Sequence, residues 1–251
     1  MMRQSNHGFI ICMQHGGICI DEDVSRRLYN NHMKYGAFIF DMDGTLVHNM
    51  PFHNKALEDV ITEAGVQIPI NTTEFYSSVY GKKTAEVFRM LLGAHAKDSE
   101  VAYWSERKEA LYRERFASSC EPLPGLLPLL EHANALGLPM AVASASPPEN
   151  ISFILNELNL HRYFQIMLSG HDVQYGKPNP EIFLKSAKSM GVEPSDCLVF
   201  EDALHGIEAA RRASMAAVFI STTVDAREVA GQAHVLCAVP DFTHLDLATL
   251  L

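Results

Sequence analysis

Short apolar runs recur along the chain, and segments with a helical pattern lie between them. A run that is apolar throughout is typical of a strand buried on both faces of a parallel sheet. Six runs are predicted to be strands, namely Phe38–Phe40, Pro139–Ala143, Gln165–Leu168, Leu198–Phe200, Ala217–Ile220 and Val235–Ala238. Four intervening segments are predicted to be helices, namely Leu126–Leu136, Glu149–Leu158, Pro180–Met190 and Ala203–Ala213. Alternating strands and helices predict an α/β fold built on a doubly wound parallel sheet.

A helical block interrupts this alternation directly after the first strand. It is predicted to contain four helices, namely Phe52–Ala64, Thr72–Tyr80, Thr84–Leu92 and Ser99–Ala117. The block ends near Glu121-Pro-Leu-Pro-Gly125, a stiff segment that suits a hinge. We therefore predict a core domain of residues 33–50 and 118–251, with an all-helical cap domain of residues 51–117 inserted over the ligand edge of the sheet.

Residues 1–32 differ from the rest of the chain. They contain several His and Asn residues and no sustained period of 2 or 3.6, so they are predicted to be an N-terminal extension and a candidate for disorder. No segment of the chain approaches the roughly 20 continuous apolar residues of a membrane helix. We therefore expect no membrane partner.

Composition limits the possible partners further. The net charge is −10, from 20 Lys and Arg against 30 Asp and Glu, and no basic block occurs, which argues against nucleic-acid binding. An acidic protein that binds phosphate must concentrate positive charge or a metal at the site. The five scattered cysteines form no CxxC pair, which favours reduced thiols in a cytoplasmic protein. We expect a monomer.

Polar side chains follow four of the predicted strands. They are Asp41 and Asp43 after the first, Ser144 and Ser146 after the second, Lys177 in the loop after the third, and Glu201 and Asp202 after the fourth. The carboxyl ends of parallel strands are where such sheets bind ligands. Carboxylates, hydroxyls and a cation at one edge are what phosphoryl transfer needs, because its catalysis is mostly positioning and charge neutralisation.

Four segments also resemble the signatures of the haloacid dehalogenase (HAD) superfamily, and they occur in the family's order. They are Phe40-Asp41-Met42-Asp43-Gly44-Thr45-Leu46, Ala143-Ser144-Ala145-Ser146, Gly176-Lys177-Pro178 and Phe200-Glu201-Asp202. The resemblance implies a Rossmann-like core. The inserted helical block is similar to the cap of the β-phosphoglucomutase-like subgroup.

The resemblance assigns roles to the residues of these signatures. It implies that Asp41 attacks phosphorus and becomes an aspartyl phosphate, and that Asp43 protonates the leaving oxygen and then takes a proton from water. It also implies that Mg²⁺ is held by Asp41, the Asp43 carbonyl and Asp202, with Glu201 as a further candidate. The phosphate is then expected to be bound by Ser144, the Ala145 amide and Lys177. Oxygen-only ligands favour a hard ion such as Mg²⁺.

Three residues of the predicted cap are candidates for the site. His53 is a candidate for positioning Asp43 or sensing cap closure, and a packed or solvated histidine is the alternative. Lys82 and Lys83 lie in Gly81–Thr84, where such caps place a substrate loop, so either is a candidate for binding a substrate phosphate or hydroxyl. A solvated cluster at a helix start is the alternative for both.

Together these features predict a Mg²⁺-dependent phosphatase of small phosphorylated metabolites, with sugar phosphates as the expected substrates. A mutase of the β-phosphoglucomutase kind would use the same core residues, but Gly81–Thr84 lacks the arginine expected there in mutases. An inorganic pyrophosphatase and a catalytically silent binding module are further alternatives. Simpler interpretations also exist for single residues, since Asp202 could merely cap the helix that follows it.

Overall fold

The computed structural model describes residues 12–14, 17–19, 34–67, 72–246 and 250. Strands β1 (Cys12–Gln14) and β2 (Gly17–Cys19) form an antiparallel pair. The sequence pattern did not predict this pair. The rest of the predicted extension over residues 1–32 lies outside the described residues.

Six further strands form one parallel sheet. They are β3 (Ala37–Phe40), β4 (Met140–Ala143), β5 (Ile166–Leu168), β6 (Cys197–Glu201), β7 (Ala216–Ile220) and β8 (Val235–Val239). Their order across the sheet is β5-β4-β3-β6-β7-β8. The chain therefore winds outward from β3 in both directions, which confirms the predicted doubly wound α/β fold.

Directly after β3 the chain forms four helices, ahead of the helix that leads into β4. They are α1 (Met50–Glu63), α2 (Thr72–Val79), α3 (Thr84–Leu92) and α4 (Asp98–Phe116). They bury a hydrophobic cluster of their own, which includes Val60, Phe75 and Phe88. We call residues 50–116 the helical insertion. Its status as a separate cap domain of residues 51–117, beside a core of residues 33–50 and 118–251, stays a prediction.

Helices cover both faces of the sheet. They are α5 (Leu126–Ala135), α6 (Pro148–Glu157), α7 (Glu181–Met190) and α8 (Leu204–Arg212). Successive residues of a strand point to opposite faces. Accordingly Phe38 and Phe40 belong to one buried cluster with α5 and α6, while Ile39 belongs to a second cluster with α7 and α8.

The strand register decides what meets at the carboxyl edge of the sheet. Phe40 of β3 is level with Phe200 of β6 on one side and Val142 of β4 on the other. The Asp41 amide continues this register by donating to the Phe200 carbonyl at 2.9 Å. Residues that directly follow β3, β4 and β6 are thus neighbours. In the described part of the chain, no helix is both long and apolar enough to cross a bilayer.

Candidate active site

A buried ammonium joins two acids at this edge. Lys177 Nζ donates to Asp41 Oδ1 at 2.5 Å and to Glu201 Oε1 at 2.6 Å, and Lys177 is only 2% exposed. Burial raises the pKa of Asp41 from its ordinary 3.8 to about 8, although the Lys177 charge opposes the rise. Burial would lower the pKa of Lys177, but Asp41 and Glu201 hold it above its ordinary value.

Asp43 is held from two sides. Its Oδ1 accepts from Asn49 Nδ2 at 2.6 Å and lies 3.2 Å from His53 Nε2, and its Oδ2 accepts from Ser146 Oγ at 2.5 Å. Burial alone would raise the pKa of this carboxyl, but His53, Ser146 and Asn49 hold it well below its usual range. Asp43 is therefore a carboxylate with a fixed orientation.

The histidine at Asp43 has a defined tautomer. Lys108 Nζ lies 2.6 Å from His53 Nδ1, and an ammonium can only donate, so Nδ1 accepts. The ring proton is then on Nε2, where it is donated to Asp43. The ring also stacks on Tyr112 with centroids 3.6 Å apart. This geometry matches the predicted positioning interpretation of His53, whose functional role stays a prediction.

Glu201 and Asp202 follow each other in sequence but make different contacts. Glu201 Oε2 accepts from the amides of Asp202 and Ala203, both at 2.7 Å. The Asp202 carboxylate accepts from the hydroxyls of Thr223 and Thr45. It does not cap α8, whose N-cap residue Ala203 makes no side-chain bond. Burial raises the pKa of Asp202, and the charges of Glu201 and Asp41 raise it further.

Two glycines allow these acids to lie so close to the backbone. A Cβ on Gly44 would lie 2.0 Å from Asp202 Oδ2, and Gly44 also has a φ of +84°. A Cβ on Gly206 would lie 1.7 Å from Glu201 Oε1. A side chain at either position would displace a carboxylate of the site.

The donors at this edge fit a hard divalent cation. Three buried carboxyl groups, those of Asp41, Glu201 and Asp202, lie around a single ammonium, so a further cation would stabilise their ionised forms. Among the residues that the structure describes, no three His, Cys, Asp or Glu side chains form a ready metal-binding group. Mg²⁺ needs fewer, since it is commonly held by one or two carboxylates plus water and substrate phosphate. Glu201 is held by the Lys177 ammonium and two main-chain amides, whereas the Asp202 oxygens accept only from hydroxyls. Asp41, Asp202 and the Asp43 carbonyl are therefore the better candidate ligands.

The second signature lies beside Asp43. Ser144 is buried, and its Oγ accepts from the Ser146 amide at 3.0 Å and lies 3.4 Å from Asp43 Oδ2. Ala145 lines the cleft described next. Their predicted role as phosphate ligands is compatible with this position and stays a prediction.

A cleft opens over these groups, between the sheet edge and the helical insertion. Its lining from the core includes Asp41, Asp43, Ala145, Ser146, Glu201 and Asp202. Its lining from the insertion includes His53, Asn54, Tyr80, Lys82, Thr84 and Lys108.

The two candidate lysines of the insertion have different surroundings. Lys82 lines the cleft, as a substrate-binding residue must. Lys83 instead donates to the main-chain carbonyls of Val173 at 2.6 Å and Gln174 at 3.2 Å. The Lys83 ammonium thus contacts a core loop, and the predicted substrate-binding role of Lys83 stays a prediction.

Four residues that support the site had no role predicted from the sequence. Asn49, Ser146, Lys108 and Thr223 hold Asp43, His53 or Asp202. Ser146 has a signal in the sequence, since it lies two residues after Ser144 in a strand-end segment. The other three lie in segments whose local pattern indicates only structure.

The raised pKa values predict a pH dependence of metal binding. In the metal-free protein the folded state favours protonated Asp41, so this group's contribution to stability falls as pH rises from about 4 to about 8. Metal must displace that proton. We expect Mg²⁺ affinity to rise about tenfold per pH unit up to about pH 8.

Thermal unfolding with and without Mg²⁺, at pH 6.0 and 8.5, measures this effect. The Mg²⁺-induced rise in Tm should be larger at pH 8.5, and Asp202→Asn should abolish most of it. An equal rise at both pH values would contradict the assigned ligands.

Comparisons with known proteins agree with this geometry. A family profile described as haloacid dehalogenase-like hydrolase matches residues 35–214. The chain is similar to fructose-1-phosphate phosphatase YqaB of Escherichia coli (strain K12), with 34% identity over 185 residues that cover 74% of this chain and 96% of that protein. It is 28% identical to the phosphorylated carbohydrates phosphatase of Thermotoga maritima, covering 73% of this chain and 83% of that protein.

Solved structures show the same likeness. The structure of a β-phosphoglucomutase from Clostridium difficile superimposes with a TM-score of 0.74 and 26% identity, covering 86% of this chain and 95% of that chain. The similarity therefore includes both the sheet and the helical insertion.

Proposed function

Because this chain belongs to the haloacid dehalogenase-like hydrolase family, we propose that it is a Mg²⁺-dependent phosphatase of small phosphorylated sugars that works through a phosphorylated Asp41. The family resemblance predicted from the four signatures is confirmed. The chain is a phosphoric monoester hydrolase. Similar proteins are named as phosphatases of fructose 1-phosphate and of phosphorylated carbohydrates, which supports a sugar phosphate as the substrate.

One observation carries the proposal: Asp41 and Asp43 line the same cleft, and the buried Lys177 Nζ lies 2.5 Å from Asp41 Oδ1. Lys177 orients the Asp41 carboxylate through one oxygen and places a positive charge where the phosphoryl group must arrive. Asp41 then attacks phosphorus, the bond to the leaving oxygen breaks, and the phosphoryl group is transferred to the carboxylate. Ser144 and the Ala145 amide are the proposed donors to its oxygens.

Asp43 handles the protons of both steps. Its contacts with Asn49, His53 and Ser146 fix both carboxylate oxygens. Protonated Asp43 gives its proton to the leaving sugar oxygen, and the resulting carboxylate then takes a proton from the water that attacks the aspartyl phosphate. Negative charge on the arriving phosphate favours the protonated form that the first step needs.

The proposed metal ligands are Asp41, Asp202 and the main-chain carbonyl of Asp43, with Glu201 holding Lys177 in place. When bound there, Mg²⁺ supplies charge that offsets the repulsion between an anionic nucleophile and an anionic phosphate. The cytoplasmic location, the monomeric state and the absence of nucleic-acid partners remain predictions from the sequence.

A panel of sugar phosphates with phosphate detection, each assayed with Mg²⁺ and with a chelator, tests the proposal. We expect Mg²⁺-dependent release of free phosphate from several hexose or pentose monophosphates. Conversion of a sugar phosphate to its isomer, with little phosphate released, would instead establish the mutase alternative. Pyrophosphate as the only substrate hydrolysed would establish the pyrophosphatase.

A further inference from the structure

The loop that leads into Lys177 is held by charged side chains at nearly every peptide. From α7, Glu181 Oε2 accepts from the amides of Gln174 at 2.9 Å and Tyr175 at 3.2 Å. Lys185 Nζ donates to the Asp172 carbonyl at 2.6 Å. Glu181 and Lys185 also pair with each other at 2.8 Å. The core therefore supplies one Glu/Lys pair to this loop.

The helical insertion supplies a second pair to the same loop. Lys83, the residue before α3, donates to the carbonyls of Val173 and Gln174. Glu86, in the first turn of α3, accepts from the Gly176 amide at 3.1 Å. The two pairs contact residues 172–176 from opposite domains of the predicted architecture.

Two glycines of the core lie against the second pair. A Cβ on Gly176 would lie 2.8 Å from Glu86 Oε2 and would displace that carboxylate, whereas one on Gly170 would be in ordinary contact with Lys83 Cγ at 3.4 Å. Gly170 is further constrained by the Ala145 carbonyl, because a Cβ on Gly170 would lie 2.3 Å from that oxygen.

Gly176 is joined directly to Lys177, whose ammonium must fit between two carboxylates at 2.5 and 2.6 Å. We propose that Lys83 and Glu86 are positioning residues that hold the loop before Lys177 in place while the insertion rests on the core. This inference rests on the proposed function, in which Lys177 neutralises the phosphate. The Glu181–Lys185 pair belongs to the core, as the loop does, whereas the contacts of Lys83 and Glu86 reach the loop from the insertion.

We expect loss of the Lys83 and Glu86 contacts to change kcat more than KM. Lys83 and Glu86 do not line the cleft, and their hydrogen bonds go to the loop before Lys177. Exposed polar contacts add little to stability, but a small displacement of a catalytic group is costly in rate. The insertion thus completes the support of the loop that precedes Lys177.

The test compares disruptive with conservative variants in the full chain. Lys83→Met and Glu86→Ala remove the contacts, whereas Lys83→Arg keeps donors and Glu86→Gln keeps an acceptor oxygen. We expect kcat to fall roughly tenfold in the first two variants, with KM changed by less than about twofold, and near wild-type kcat in the conservative pair. Unchanged kcat in Lys83→Met, or an equal loss in the conservative variants, would overturn the inference.

A matched control separates loop support from general contact between insertion and core. His205 Nδ1 lies 2.9 Å from the Tyr80 carbonyl, across the same interface but away from residues 172–176. His205→Ala should leave kcat near the wild-type value, and a kcat loss equal to that of Lys83→Met would count against the specific role.

A double variant tests whether Gly176 and Glu86 act through the same contact. Gly176→Ala should displace Glu86 and lower kcat, and adding Glu86→Ala should cause no further loss, because both changes break one contact. Independent, multiplying losses would contradict that contact. If the wild-type enzyme releases no phosphate from any substrate, the proposed function fails. If the wild-type enzyme is active and the Lys83 and Glu86 variants match its kcat, this inference alone fails.

Discussion

Asp41→Asn is expected to lower kcat by at least about a thousandfold. The substitution keeps the shape of the side chain but replaces the attacking carboxylate with an amide, which is a poor nucleophile. It also removes one of the two carboxylates that Lys177 contacts. Since Lys177 retains Glu201 at 2.6 Å, we expect the fold to survive.

Steady-state kinetics in saturating Mg²⁺, with Tm as the check on folding, measures this effect. Asp98→Asn is the matched control, because Asp98 lies in helix α4 of the insertion and its side chain is 96% exposed. It should behave like wild type. Turnover by Asp41→Asn within tenfold of wild type would remove Asp41 as the nucleophile.

Lys177→Met is expected to lower kcat/KM by roughly a hundred- to a thousandfold. The methionine nearly preserves side-chain volume but leaves no positive charge where the phosphoryl group must bind. Without Mg²⁺ it also leaves Asp41, Glu201 and Asp202 with no buried counter-charge. Breaking such a buried pair costs about 3–5 kcal/mol of folding stability.

The stability and the activity can be followed together. Denaturant unfolding without metal should show the loss of stability, and Mg²⁺ should recover part of it by neutralising the same acids. Lys188→Met, the same change at an exposed position on helix α7, is the control and should alter neither quantity. Wild-type kcat/KM in Lys177→Met would mean that the ammonium is only structural.

The sheet could be predicted because its physics is local. The four inner strands are almost wholly buried and therefore read as short apolar runs, and the partly exposed edge strands β5 and β8 are apolar as well. Each predicted strand lies within one residue of its observed bounds. Parallel strands also bring their carboxyl ends together, so Asp41, Lys177 and Glu201 could be expected to meet before any distance was known.

The contacts around Asp43 could not be predicted in this way. Lys108 reaches His53 across 55 residues, and Asn49 Nδ2 meets the Tyr112 hydroxyl across 63. These contacts depend on how helices α1 and α4 pack together, and no local periodicity of the sequence indicates them. A lysine in the middle of an exposed-looking helix gives no sign that its side chain is buried.

Lys82 and Lys83 show the same limit at a finer scale. They are adjacent and chemically identical, and the sequence offers no reason to separate them. One faces the cleft and the other faces the carbonyls of a core loop. The direction of the chain as it enters α3 makes the difference.

Phosphorylation of Asp41 is the claim on which the mechanism depends, and rapid quenching tests it most directly. Wild-type enzyme mixed with its best sugar phosphate and Mg²⁺ would be quenched in acid within milliseconds, digested and analysed by mass spectrometry. The account predicts one added phosphoryl group on the peptide that contains Asp41, at a residue whose label is lost under mild base and is missing in Asp41→Asn. A phosphoryl group on any other side chain, or full turnover with no labelled peptide at any time, would contradict it.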